Sequence, residues 1–209
     1  ESGSVEIFQK DFIQYEKECK QRIGVVFGGI DFYPLKKLSA ITAVTQRFYT
    51  DWDQAQYQKY IKRFALDESK KFKELSNGMK VKYLLALALS HHAQLLILDE
   101  PFNFLDPSSQ SVIKHLLKRY NEEHGATVII SSHNLNHTVD VCPRIALLEN
   151  GVIIRDIRNE NNSAEQELEA YFNVGVEEEA VVEETVVEAA VEEITEKEDK
   201  TVEEKNSEA

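Results

Sequence analysis

The chain has 209 residues, of which 42% are hydrophobic and 29% charged, and it carries a formal net charge of −13. That length holds one ordinary domain, with or without a tail, and its apolar runs fall far short of the ~20 residues that cross a bilayer. Two cysteines, Cys19 and Cys142, are too few for a disulfide framework and fit a reducing compartment.

The negative charge is segregated. Residues 176–209 hold 14 acidic residues and 3 lysines, which leaves the rest of the chain close to neutral at −2. That stretch has no aromatic residue and cannot bury enough surface to offset the entropy of ordering, so a solvated acidic tail is expected. Val182, Val186, Ala190 and Ile194 recur at roughly helical spacing, which leaves a partner-bound helix as the alternative. No basic patch arises, so nucleic acid is not expected as a partner. The first residue is Glu1, no signal peptide follows it, and the start reads as a cut.

In chain order, residues 22–27 (RIGVVF) read as a strand, and 53–66 as an amphipathic helix. Residues 76–92 read as a second helix, with Ser76 at its N-cap. The apolar run 94–98 suits a buried parallel strand. Asp106-Pro107 then opens a helix that Gly125 ends. Residues 126–131 (ATVIIS) form another strand, 144–155 a hairpin turning at Asn150-Gly151, and 163–172 a terminal helix. This alternation predicts an α/β fold with a mostly parallel sheet.

The chemistry concentrates where the apolar strand 94–98 stops at Asp99-Glu100-Pro101. Ligands of open α/β sheets bind at the carboxyl ends of the strands. Two adjacent carboxylates there can divide the labour, Asp99 on Mg²⁺ and Glu100 on an attacking water. Taken alone, the same residues also describe a strand ending at a charged, solvated turn. Ser76 and Gly78, 23 residues before the carboxylates, can form an anion-binding helix start or an ordinary cap. His133 ends the next strand, 33 residues after Glu100, and can reach a phosphate oxygen or serve no role. Asp106 can cap its helix and also face an interface. His91, His92, His115, His124 and His137 are expected at helix ends or in solvent.

The order and spacing of these elements resemble the ATP-binding cassette of ABC transporters. LSNGM, residues 75–79, resembles the cassette signature, usually LSGGQ. LLILDEP resembles the Walker B strand with its catalytic glutamate, NFLD the D-loop, and SSH the switch-histidine loop. The resemblance covers about residues 2–157. It implies a P-loop NTPase-like fold with a helical signature subdomain, as a partial ATPase domain over 1–157; a C-terminal helical segment over 158–175 and the acidic tail over 176–209 follow it.

The departures are specific. Asn77 and Met79 replace the usual Gly and Gln of the signature, Phe104 replaces a small D-loop residue, and Gly28 stands where a Q-loop glutamine would follow the strand, with Asp31 as a possible substitute. No G-x-x-x-x-G-K-[ST] phosphate loop occurs. The non-Met start favours truncation before residue 1 over a cassette that never had the loop, and this exact chain is expected to bind and hydrolyse ATP weakly.

For the parent protein the resemblance implies an ATPase that is the nucleotide-binding subunit of a transporter, with ATP and Mg²⁺ as cofactors. Glu100 and His133 are its expected catalytic residues, Asp99 its metal residue, and Ser76, Asn77, Gly78 and Asp106 its nucleotide-binding residues. The expected partners are a second cassette and a separate transmembrane permease, with export the expected direction. The expected location is the cytoplasmic face of the cell membrane, and Phe32, Tyr33 and Pro34 are the expected permease contact. The alternatives are a non-transport ATPase of the same superfamily and a catalytically dead interaction module.

Overall fold

The computed structural model describes residues 3–27, 32–103 and 105–160, with Ala164 and Leu168. It divides into two compact units, Glu1–Val141 and Cys142–Ala209.

The first unit opens with a small antiparallel pair, β1 (Glu6–Ile7) and β2 (Lys10–Asp11), and the short helix α1 (Glu16–Gln21). The central sheet is parallel. β3 (Ile23–Phe27) pairs with β4 (Leu95–Asp99), which pairs with β5 (Thr127–Ser131). The register aligns Phe27, Asp99 and Ser131 across the carboxyl ends of the three strands. β4 is the middle strand, and its Leu96 and Leu98 are buried, as the continuous apolar run predicts.

Among the described residues, the α-helices between β3 and β4 are α2 (Leu38–Thr45), α3 (Gln54–Arg63) and α4 (Asn77–Leu89). Asp53 caps α3 by accepting from the Gln56 N–H, and Ser76 caps α4 by accepting from the Met79 N–H. A buried polar network joins them. The Thr42 hydroxyl lies 2.7 Å from that of Tyr57 and 2.9 Å from that of Tyr83, and Tyr57 donates to Glu68. Satisfied networks of this kind fix one packing arrangement. Gly24 lets α4 approach β3. A Cβ there would sit 2.8 Å from Leu96 Cδ2 and 2.9 Å from the Ala88 carbonyl oxygen.

α5 (Pro107–His124) follows β4, with Pro107 in its first turn, Asp106 as N-cap and Gly125 at φ 63° as C-cap. Each of those signals was legible in the sequence. α6 (Leu135–Thr138) follows β5. In the second unit, β6 (Arg144–Glu149) and β7 (Val152–Arg158) form the expected hairpin. Asn150 at φ 47° and Gly151 at φ 80° make the turn, both in the left-handed region that a type I′ turn requires. Ala164 and Leu168 are buried. The tail 176–209, Gly28, Asp31, Phe104 and most of the expected helix over 163–172 lie outside the described residues.

One expectation is corrected. His91 is neither a solvent residue nor a simple helix end. It is 2% exposed and stacks on Tyr49 with ring centroids 3.7 Å apart. Residues 85–89 of α4 are buried on every side, so the helix ends inside the protein and carries His91 with it. His137 is half-buried, and its shielded Nδ1 has no hydrogen-bond partner among the described residues.

Candidate active site

β4 delivers two carboxylates at the end of the sheet. Asp99 is the last strand residue, and it is exposed, with its Oδ1 accepting from the Ser131 hydroxyl. Parallel pairing makes that contact possible, because Asp99 and Ser131 are register partners. Sequence reasoning missed Ser131, although the serine beginning the SSH stretch at the end of a strand was the available signal.

Glu100 turns the chain sharply. Its φ of 47° is unfavourable for a residue with a Cβ, and its backbone N–H donates to the Ser131 carbonyl at 3.1 Å. Strained non-glycine backbone of this kind gathers at functional sites. Here it turns the side chain toward the loop after β5. Glu100 Oε1 lies 2.9 Å from the donating His133 N–H and 2.7 Å from His133 Nδ1. Its other oxygen, Oε2, is buried and has no hydrogen-bond partner among the described residues. A shielded carboxylate oxygen without a hydrogen bond is costly, and such an unsatisfied group marks a place where a further donor would be accommodated.

The structure therefore brings Asp99, Glu100, Ser131 and His133 together. The imidazole of His133 is three-quarters exposed, while the Glu100 side chain is 24% exposed. His137 lies in the following helix, its ring edge against Phe102, and burial lowers its basicity.

Ser76, Asn77 and Gly78 stand apart from this group at the start of α4. Ser76 and Asn77 are exposed, and the Ser76 hydroxyl is 3.3 Å from the Met79 N–H. Among the described residues none of the three is hydrogen-bonded to the carboxylate pair. Asp106 spends both oxygens at the start of α5. Oδ1 accepts from the Ser109 N–H at 2.9 Å and the Ser108 hydroxyl at 2.5 Å, and Oδ2 from the Ser109 hydroxyl at 2.6 Å. Those hydroxyls hold its carboxyl well below the usual range. Its visible role is the cap.

The residues fit a Mg²⁺ ion. Mg²⁺ keeps several waters and takes one or two carboxylates alongside substrate phosphates. The exposed carboxylate of Asp99, held at Oδ1 by the Ser131 hydroxyl, meets that requirement. No cluster of three or more His, Cys, Asp or Glu suited to an all-protein metal cage occurs among the described residues.

A groove of about 220 Å³ lies elsewhere in the same unit, with Val25, Phe27, Phe32, Tyr49, Leu84 and Leu87 among its walls. Phe32 and Tyr33 beside it are 37% and 60% exposed. No helix among the described residues is long and apolar enough to cross a membrane.

Comparison with known proteins matches residues 14–140 to the family described as "AAA domain, putative AbiEii toxin, Type IV TA system". The methionine import ATP-binding protein MetN 1 of Acinetobacter baylyi is 28% identical over 163 residues, which are 73% of this chain and 46% of that protein. The bacitracin transport ATP-binding protein BcrA of Bacillus licheniformis is 29% identical over 158 residues, 75% of this chain and 52% of that protein. The chain thus spans about half the length of these relatives. Among solved structures, the dimeric bacterial ABC transporter cassette MJ0796 superposes with a TM-score of 0.65 at 25% identity, covering 76% of this chain and 74% of that one.

Proposed function

We propose a function from the premise that the chain belongs to the AAA-domain family and carries the ATP-binding cassette of an ABC transporter subunit. The protein from which it comes hydrolyses ATP, and two cassettes close on the nucleotide to do so. The observation that carries this reading is the Glu100–His133 pair with Glu100 Oε2 buried and unpartnered.

Glu100 Oε2 accepts a hydrogen bond from the attacking water and raises its nucleophilicity. The two contacts from His133 hold Oε1, so the carboxylate cannot rotate away. His133 meets Glu100 through Nδ1, which leaves Nε2 as the ring nitrogen that reaches an oxygen of the terminal phosphate. Mg²⁺, when bound, neutralises charge on the phosphate oxygens. Asp99 would hold that ion, directly or through water, with the Ser131 hydroxyl fixing the carboxylate. Ser76 and Asn77 are exposed at a helix N-terminus, and with Gly78 they serve the nucleotide of the opposing cassette, where the macrodipole favours anionic oxygens. Asp106 faces the same interface from its cap.

The second partner is a membrane permease. Phe32, Tyr33 and Pro34, beside the apolar groove, receive it, and the cassette lies on the inner face of the membrane. The resemblance of residues 75–80 to LSxGMK signatures supports export. Transport by inverted vesicles reads that direction.

Complementation tests the dimer. In full-length protein from the complete reading frame, Ser76→Arg blocks closure and Glu100→Gln removes the base. Mixing the two inactive variants creates one site with an intact Glu100 and an intact opposing signature, so hydrolysis returns to about a quarter of wild type if subunits exchange randomly and one site suffices. Failure to complement, with Ser76→Arg also abolishing ATP binding by the monomer, places the signature in cis and refutes the sandwich.

A further inference from the structure

We infer that Lys82 is a positioning residue that ties the signature helix to the start of α5, so that Ser76 and the segment leading to Asp106 move as one body. The inference rests on the cassette-dimer reading for its functional consequence, but its geometry stands on its own.

Lys82 lies on α4, less than two turns from Ser76. Its Nζ donates to the Ser109 hydroxyl at 2.8 Å, across 27 residues of sequence. Ser109 is 7% exposed, and its hydroxyl donates to Asp106 Oδ2 at 2.6 Å while its N–H donates to Asp106 Oδ1. A lysine ammonium, a buried hydroxyl and a carboxylate therefore form one polarised chain. The ammonium strengthens the hydroxyl as a donor, and the carboxylate charge is answered through it.

The chain joins two helix starts that face different parts of the chemistry. α4 begins at the signature. α5 begins at the end of the loop that leaves Glu100, and Gln110 on its first turn donates to the Phe102 and Leu105 carbonyls of that loop. The Ser109 hydroxyl can serve both Lys82 and Asp106 only while the two helices keep their spacing. A shift of α4 relative to α5 breaks the Lys82 bond and leaves a half-buried ammonium unpaired, which is costly. A signature that must meet the opposing nucleotide while its own Glu100 stays in place gains from such a tie.

Lys82→Met keeps the length of the side chain and removes the ammonium. Lys82→Arg keeps a charged donor. Ser109→Ala removes the bridge from the other side. In the 209-residue chain, hydrogen exchange is read at residues 78–80 and 108–110. Lys82→Met and Ser109→Ala speed both segments together by ~5-fold or more, because the two first turns lose their common anchor. Lys82→Arg restores slow exchange. In full-length protein carrying Glu100→Gln, ATP-driven dimerisation is read by light scattering. Lys82→Met raises the concentration for half-maximal dimer by ~10-fold or more, while ATP affinity of the monomer stays unchanged. If the Glu100→Gln parent does not dimerise, the sandwich reading fails and the exchange experiment alone decides the tie. Unchanged exchange at both segments in Lys82→Met overturns the inference, as does an unchanged dimer midpoint when the parent dimerises.

Discussion

Glu100 Oε1 takes both the backbone N–H and the ring Nδ1 of His133, at 2.9 and 2.7 Å, although the two residues are 33 apart in sequence. The parallel pairing of β4 and β5 brings their strand ends together, and the left-handed backbone of Glu100 turns its side chain across the gap. The pair is thus a product of sheet register and one strained residue.

His133→Ala tests the pair directly. The ring is three-quarters exposed and contributes little to the core. Hydrolysis by the full-length protein falls by ~10²-fold or more as Glu100 loses its anchor and the phosphate loses a donor, while the melting temperature shifts by less than about 2 °C. Steady-state turnover and thermal denaturation measure the two effects. Loss of activity with a collapse in melting temperature contradicts this assignment.

Gly24→Ala tests the seat of α4. The added Cβ meets Leu96 Cδ2 at 2.8 Å and the Ala88 carbonyl oxygen at 2.9 Å, so backbone must give way. A loss of about 1–3 kcal/mol is expected in urea denaturation. An unchanged midpoint means that α4 does not pack on β3 as described.

His91 makes stability depend on pH in a defined window. Burial pulls its imidazole from 6.5 down to about 4. Above pH 6.5 both folded and unfolded chains keep it neutral, and it adds no pH dependence. Between pH 6.5 and pH 4 only the unfolded chain binds the proton, so stability falls with falling pH by up to roughly 1.4 kcal/mol per unit. His91→Phe removes that slope. Between pH 7.5 and pH 5 the wild type should lose about 2 kcal/mol more than the variant in urea denaturation. Equal losses contradict a buried neutral His91.

The parallel sheet and its helices were legible because each strand is a short apolar run and each long helix carries its own cap. Ser76, Asp53, Asp106-Pro107 and Gly125 announce boundaries by local chemistry alone. The β1–β2 pair announces nothing, because Phe8 and Gln9 take positive φ values of 56° and 62° without any glycine or asparagine. α2 was invisible for a related reason, being only eight residues long and held by the buried hydroxyls of Tyr57 and Tyr83. At the site, the residue types of Asp99, Glu100 and His133 could be read together with their spacing. The Ser131–Asp99 bond, the strained backbone of Glu100 and the Lys82–Ser109 link could not, because each depends on register or on packing between distant segments. His91 misled because its environment is set by where α4 ends in three dimensions.

The central claim is that Glu100 activates the water that attacks ATP. Single-turnover hydrolysis by full-length Glu100→Gln, with Mg²⁺ and with nucleotide binding measured in the same sample, tests it most directly. The amide keeps the shape and removes the acceptor charge, so binding stays within about twofold of wild type while the hydrolysis rate falls by ~10²-fold or more. Hydrolysis at the wild-type rate with ATP bound would contradict the claim.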